Sequence, residues 1–137
     1  MSEDKLKTIY KVGLAHFKDG KMLMTRSIGK DVFYCAGGKF EEGESDIECL
    51  KREIKEELGV EMDDKSIKFL RAFEDVAHGK VNMRVNIKIF SAELLEEPKP
   101  TQEIEEIRYL DSAADPKILA PIDIQIFAWL KEQKLID

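Results

Sequence analysis

The sequence predicts a mixed α/β layered domain, and three observations carry that expectation. Short segments rich in β-formers are punctuated by turn residues, one internal helix is delimited at both ends by capping residues, and a second helical pattern closes the chain. At 137 residues the chain supports one core of ordinary size, so residues 1–137 are read as a single domain.

Residues 7–17 are rich in β-formers, residues 22–25 form a second apolar stretch, and Asp19-Gly20 between them is a hairpin-turn pair. Residues 33–36 read as a short strand that runs into a tight loop at Gly37-Gly38. Ser45 and Glu48 make a Ser-x-x-Glu capping box, and Gly59 stands where a left-handed C-terminal cap belongs, which places a helix over about Asp46 to Leu58. Residues 67–73 read as a strand. Over residues 81–89, Val81, Met83, Val85, Ile87 and Ile89 alternate with Asn82, Arg84, Asn86 and Lys88, the period of a strand with one buried and one polar face. Pro98 and Pro100 mark a loop, residues 104–110 a further strand, and Asp115-Pro116 a second irregular stretch. A terminal helix over residues 122–135 contains Trp129.

Composition narrows the function classes. With 22 Lys plus Arg against 28 Asp plus Glu, the net charge of −6 argues against a partner that is a nucleic acid polymer held by phosphate neutralisation. A chain that is 43% hydrophobic and 36% charged is globular rather than disordered. The first residues lack the apolar core of a secretory signal, and no run approaches the roughly 18 apolar residues of a membrane span, so a cytoplasmic protein with no membrane contact is expected. Cys35 and Cys49 are then expected as small reduced hydrophobes rather than a bridge or part of a zinc site.

The helix carries the chemistry. Glu53, Glu56 and Glu57 fall within an arc of about 100°, while Ile47, Leu50, Ile54 and Leu58 form a separate apolar stripe and Lys51 and Lys55 point elsewhere. Glu53 has like charges at i+3 and i+4, each pair unfavourable by roughly 0.2–0.5 kcal/mol, and no lysine is placed to relieve them. A solvated charged face is the plainer reading, but a hard divalent cation such as Mg²⁺, which takes carboxylate oxygens and keeps positions for water and phosphate, offsets the repulsion directly. Arg52 is placed to hold a carboxylate through a forked hydrogen bond. Gly37-Gly38 lets backbone approach a bulky ligand beside the helix.

Gly38, Glu44 and the run Arg52-Glu53-Ile54-Lys55-Glu56-Glu57-Leu58-Gly59-Val60 together form a long pattern. It resembles the signature of the Nudix hydrolases, Gly-x5-Glu-x7-Arg-Glu-U-x-Glu-Glu-x-Gly-U with U apolar, at every fixed position. Ala36 departs from the proline that many members carry before the paired glycines, which removes no chemical group. The resemblance implies a Nudix-type α/β/α sandwich with a mixed central sheet, containing the helix Asp46–Leu58 and the C-terminal helix. It further implies hydrolysis of a nucleoside diphosphate linked to another group, with Mg²⁺ or Mn²⁺ as cofactor. Carried over position by position, it makes Glu56 and Glu57 metal ligands, with the Gly37 carbonyl as a further one. Glu53 is either a ligand or the general base, oriented by Arg52, and Glu44 supports loop and helix. In some members the base comes from a later loop, where Glu103 is the candidate.

Substrate choice lies outside this box. Gly38 leaves room for phosphate, Phe33 or Tyr34 can stack on a base or fill the core, and His78 and Arg84 are placed to reach a cleft or merely water. The resemblance favours a small-molecule nucleotide. A nucleoside triphosphate, oxidised or otherwise modified, giving monophosphate and pyrophosphate is preferred to ADP-ribose or a sugar nucleotide. A non-catalytic nucleotide-binding module is the reading from another class. A homodimer is common among such proteins and is compatible with this chain.

Overall fold

The computed structural model describes residues 7–77 and 81–137. In chain order its elements are β1 (Lys7–Ala15), β2 (Phe17–Lys18), β3 (Lys21–Ser27), β4 (Tyr34–Cys35), β5 (Gly37–Lys39), α1 (Asp46–Leu58), β6 (Lys68–Val76), β7 (Met83–Ser91), β8 (Ile104–Leu110) and α2 (Pro121–Glu132). One four-stranded sheet runs β5-β1-β7-β6 and is mixed, because β1 and β7 are parallel and the other pairs antiparallel. A second sheet is antiparallel and centres on β3, which pairs with β2, β4 and β8. Asp19 and Gly20, both at positive φ, turn the β2–β3 hairpin as their sequence anticipates.

The helices cover opposite faces, so the expected α/β/α sandwich holds. Alternation along the strands sends Val12, Leu14, Leu23 and Phe90 to one layer with Cys49, Leu50, Ile54 and Leu58 of α1. It sends Met22, Met24, Ile87 and Ile89 to the other, with Ile126, Phe127 and Leu130 of α2. Burying each such aliphatic side chain contributes about 1.5–3 kcal/mol before the entropy of ordering is subtracted. Trp129 stands edge-on to Phe73 at 5.7 Å in the α2 layer.

Helix α1 has the predicted limits. The Ser45 hydroxyl accepts the Glu48 N–H at 3.2 Å, the Glu48 carboxylate accepts the Ser45 N–H at 2.9 Å, and Gly59, at φ 69°, donates to the Lys55 carbonyl at 3.0 Å. These caps fix where the helix begins and ends, and with it the rotation of every glutamate.

Three expectations are corrected. Gly37-Gly38 is not simply a loop: Val12 pairs with Gly38 and Gly13 with Gly37, so the glycines themselves form β5. A Cβ on Gly37, at φ 140°, would collide with the Val12 carbonyl, which is why the strand can lie so close to β1. The alternating segment begins at Met83 instead of Val81, which is 85% exposed beyond the last strand pair. Helix α2 ends at Glu132 rather than at residue 135, and Leu135 is exposed. Cys35 and Cys49 are buried and free. Among the described residues no helix is long and apolar enough to cross a membrane.

Candidate active site

A cavity of about 290 Å³ lies beside β4 and β5. Gly37, Gly38, Lys39 and Glu57 line one part of it, and Tyr34, Cys35, Ile122 and Asp123 another. Two connections build this arrangement. The caps of α1 aim its glutamates at β5, and the Phe33 N–H donates to the Ile118 carbonyl at 2.7 Å, drawing the start of α2 to the side of β4.

Glu57 reaches across to β5, where its carboxylate accepts the Gly37 N–H at 3.0 Å. Burial pushes this carboxyl up to about 8; the Gly37 N–H and the Lys11 charge pull it down, and the Glu53 charge adds to the rise. Glu53, with a side chain 15% exposed, lies against Gly38 so closely that a Cβ there would collide with its carboxylate. Burial raises Glu53 as well, opposed by the Arg52 charge. A side chain at position 38 would push the Glu53 carboxylate from this seat.

Arg52 is the hub. Its fork grips Glu44, with Nε to Oε2 at 2.6 Å and Nη2 to Oε1 at 3.0 Å, and Nη2 also reaches the Lys39 carbonyl at 3.0 Å. Nη1 donates to Glu53 and Glu56, each at 3.3 Å. The carboxylate that takes the fork is thus that of Glu44, which Arg52 holds down to about 2. Glu44 in turn accepts the Glu41 N–H at 2.8 Å, which joins the loop to the helix through Arg52. Lys51 and Lys55 pair away from this face, with Asp64 and Glu61.

Among the described residues no three His, Cys, Asp or Glu side chains converge tightly enough to form a ready-made metal cage. Glu56 and Glu53 lean on Arg52, and Glu57 on Gly37. The chemistry of the set is nevertheless compatible with a hard dication: Glu53 and Glu57 are desolvated carboxylates beside the same glycine strand, and burial without a cation disfavours their charge. A cation held by Glu53 and Glu56 would have to displace their contacts with Arg52 Nη1, which are separate from the fork on Glu44.

The other anticipated residues divide. Tyr34 lines the cavity, whereas Phe33 is 3% exposed and packs in the core beneath the guanidinium groups of Arg108 and Arg26, at 4.9 and 6.0 Å from its ring centre. Val85 lines the cavity, so the alternation of β7 turns its neighbour Arg84 to the opposite face, where it pairs with Glu74 at 3.8 Å. Glu103 is exposed and outside the cavity wall, on a loop fastened to the end of α1 by Thr101, whose N–H donates to the Glu57 carbonyl at 3.0 Å and whose hydroxyl donates to that of Glu56. Glu106 pairs with Arg108 and Arg26. His78 lies outside the described residues.

Sequence reading missed Lys11, Lys39 and Asp123, all of which line the cavity. Asp123 is 2% exposed, and burial pushes its carboxyl up to about 7, against the pull of the Cys35 N–H and the Lys11 charge. The available signal was a lone acid in the first turn of an apolar helix, which ordinarily reads as a favourable charge at a helix start.

The NUDIX domain family model matches residues 10–130 of the chain. No curated protein sequence matches it. Among solved structures, the chain is similar to the E. coli ORF135 protein, with 24% identity, coverage of 96% of both chains and a TM-score of 0.71. It is similar to the MutT protein from Methanosarcina mazei Go1, with 19% identity, coverage of 96% of this chain and 98% of the other, and a TM-score of 0.76. A UDP-X diphosphatase is 22% identical over 93% of this chain and 64% of its own, with a TM-score of 0.73. At these identities the likenesses speak for the fold.

Proposed function

The chain belongs to the Nudix family of pyrophosphate-bond hydrolases, and from that premise we propose that it cleaves a nucleoside triphosphate, modified or not, to the monophosphate and pyrophosphate with Mg²⁺ or Mn²⁺. The observation that carries this reading is the pair of desolvated carboxylates, Glu53 and Glu57, seated on β5 beside a cavity near the low end of the roughly 300–1,000 Å³ typical of small-molecule sites.

Glu53, Glu56 and Glu57, with the Gly37 carbonyl, would hold the metal. When bound, the metal lowers the pKa of its water and withdraws charge from phosphate oxygens. The chain's own residues do the rest. Gly38 keeps the strand thin enough for a phosphate to approach, and Lys39 adds positive charge at the cavity wall. Arg52 orients Glu53 and anchors the loop through Glu44. Glu53 is the preferred proton acceptor, because it is seated against Gly38 of the glycine strand while Glu103 is exposed on its loop.

Two buried unbridged cysteines suit a reducing compartment, the basis for expecting a cytoplasmic site of action. The test is release of pyrophosphate from a panel of nucleoside triphosphates, ADP-ribose and sugar nucleotides, with Mg²⁺ and then with chelator. Metal-dependent pyrophosphate release from triphosphates is expected. Faster cleavage of ADP-ribose or a sugar nucleotide would replace the substrate assignment.

A further inference from the structure

Glu56 and Glu57 stand in the last turn of α1, and Glu53 one turn earlier. A helix end is a poor place to fix a side chain, because its last four carbonyls find no partner within the helix and its final turn frays. In α1 all four are engaged. The Gly59 N–H takes the Lys55 carbonyl at 3.0 Å, and the loop between β7 and β8 supplies the rest. The Thr101 hydroxyl donates to the Glu56 carbonyl, the Thr101 N–H to that of Glu57 at 3.0 Å, and the Lys99 N–H to that of Leu58 at 3.0 Å.

The loop is built for this task. It reads Pro98-Lys99-Pro100-Thr101, and proline both lacks an N–H and restricts φ, so the alternation leaves backbone donors at Lys99 and Thr101 and stiffens the chain between them. Gln102 follows at φ 54°, and the Ile104 N–H returns to the Thr101 carbonyl at 3.0 Å. The next carbonyl but one, that of Glu103, accepts the Ile28 N–H at 2.8 Å, in the segment between Ser27 and Lys30, both of which line the cavity. The strap therefore joins the end of the acidic helix to the second sheet and the cavity rim. Its Thr101 methyl lies over Gly59, where an added Cβ would meet it at 3.4 Å.

We propose that Thr101 is a positioning residue for the metal face: by holding the carbonyls of Glu56 and Glu57 together, it fixes the height and rotation from which both carboxylates meet a cation beside β5. The proposal rests on the metal reading above. Gly59 already stops the helix, and the N–H groups of Lys99 and Thr101 already tie the loop to it. The hydroxyl adds a tether of its own, and it falls on a glutamate. Groups that hold metal ligands in place, without touching the metal, set affinity and rate through the ligands they orient.

The experiment sets Thr101→Val, which keeps the branched shape and the N–H but loses the hydroxyl, against Thr101→Ser, which keeps the hydroxyl and loses the methyl. Mn²⁺ binding to the nucleotide-free protein is read from the electron paramagnetic resonance signal of the free ion, and Glu57→Gln locates the ion. Thr101→Val is expected to weaken Mn²⁺ binding by about 10-fold and to lower kcat on the cleaved nucleotide with little change in KM. Thr101→Ser should recover most of both. A packing role predicts the reverse order, with Thr101→Ser impaired and Thr101→Val sound, and that result overturns the proposal. So does equal Mn²⁺ affinity in wild type and both variants, or an equal loss in the two. Melting without metal supplies the structural control: a fall in Tm with unchanged Mn²⁺ affinity assigns Thr101 to the helix end alone. Wild type that binds no Mn²⁺, or binds it no better than Glu57→Gln, overturns the metal reading itself and the proposal with it.

Discussion

The two ends of the cavity handle a buried carboxyl in opposite ways. On the α1 side, Glu53 and Glu57 are members of a crowd: Arg52 lies among Glu44, Glu53 and Glu56, and the Gly37 N–H takes one oxygen of Glu57. On the α2 side, Asp123 stands alone among apolar residues with one N–H and one bare oxygen. Burial raises the carboxyls of Glu57 and Asp123 alike, to about 8 and about 7. What differs is the remedy. One end gathers several acids round a guanidinium, and the other leaves a single acceptor without a donor. A raised pKa alone therefore does not distinguish the two environments; the neighbours do.

The largest effect should come from the crowded end. Glu53→Gln and Glu57→Gln are each expected to lower kcat by about 10²–10⁴-fold while the circular dichroism spectrum stays that of wild type. Folded variants retaining wild-type turnover on the true substrate would dissolve the distinction between the two ends.

The solitary end should show itself in stability. The ordinary carboxyl value of 3.8 rises to about 7 on folding, so the stability that Asp123 contributes is fully present below about pH 4 and is lost as pH climbs through about 7. Lys11, Cys35 and Tyr34 are the titratable groups coupled to it. Asp123→Asn does not titrate and should gain on wild type across that window, by no more than roughly 4 kcal/mol. Urea unfolding in steps from about pH 4 to about pH 8 measures the gap, and a gap that does not widen with pH contradicts the burial argument.

Removing the hub should have an intermediate effect on chemistry. Arg52→Ala leaves the glutamates chemically intact but unpositioned, and turnover should fall roughly 10–100-fold, as it does when outer partners of metal ligands are removed. An equal loss in Arg52→Lys would show that the forked geometry matters rather than the charge alone. Smallest of all, Ser45→Ala removes the helix cap and should cost about 1 kcal/mol in unfolding free energy. If it also reduced kcat, the rotation of α1 would prove softer than its two caps suggest.

The same contrast explains what could be read from the chain in advance. Three glutamates at helical spacing, a capping box and a terminal glycine are local patterns, and local periodicity survives into the structure: α1 spans Asp46–Leu58 as expected and β8 spans Ile104–Leu110. Which carboxylate takes the Arg52 fork was left open, because Glu44 lies in a loop whose path the Glu41 turn fixes. Gly37-Gly38 reads locally as a loop, but pairing with β1 across a long sequence separation makes it a strand. Asp123 was invisible for a similar reason: a single acid at a helix start looks ordinary until Cys35 and the cavity are brought against it by the Phe33–Ile118 contact.

The arrangement of Arg52 has one more consequence. By occupying Glu53 and Glu56 it acts as an internal placeholder, so the protein need not wait for a cation to assemble its acidic helix. Folding and loading are thereby uncoupled: withdrawing metal should silence the enzyme and leave its shape standing, and the ion must compete with a tethered rival for its seat. On the proposed metal reading, activity should then follow the free divalent concentration around the protein.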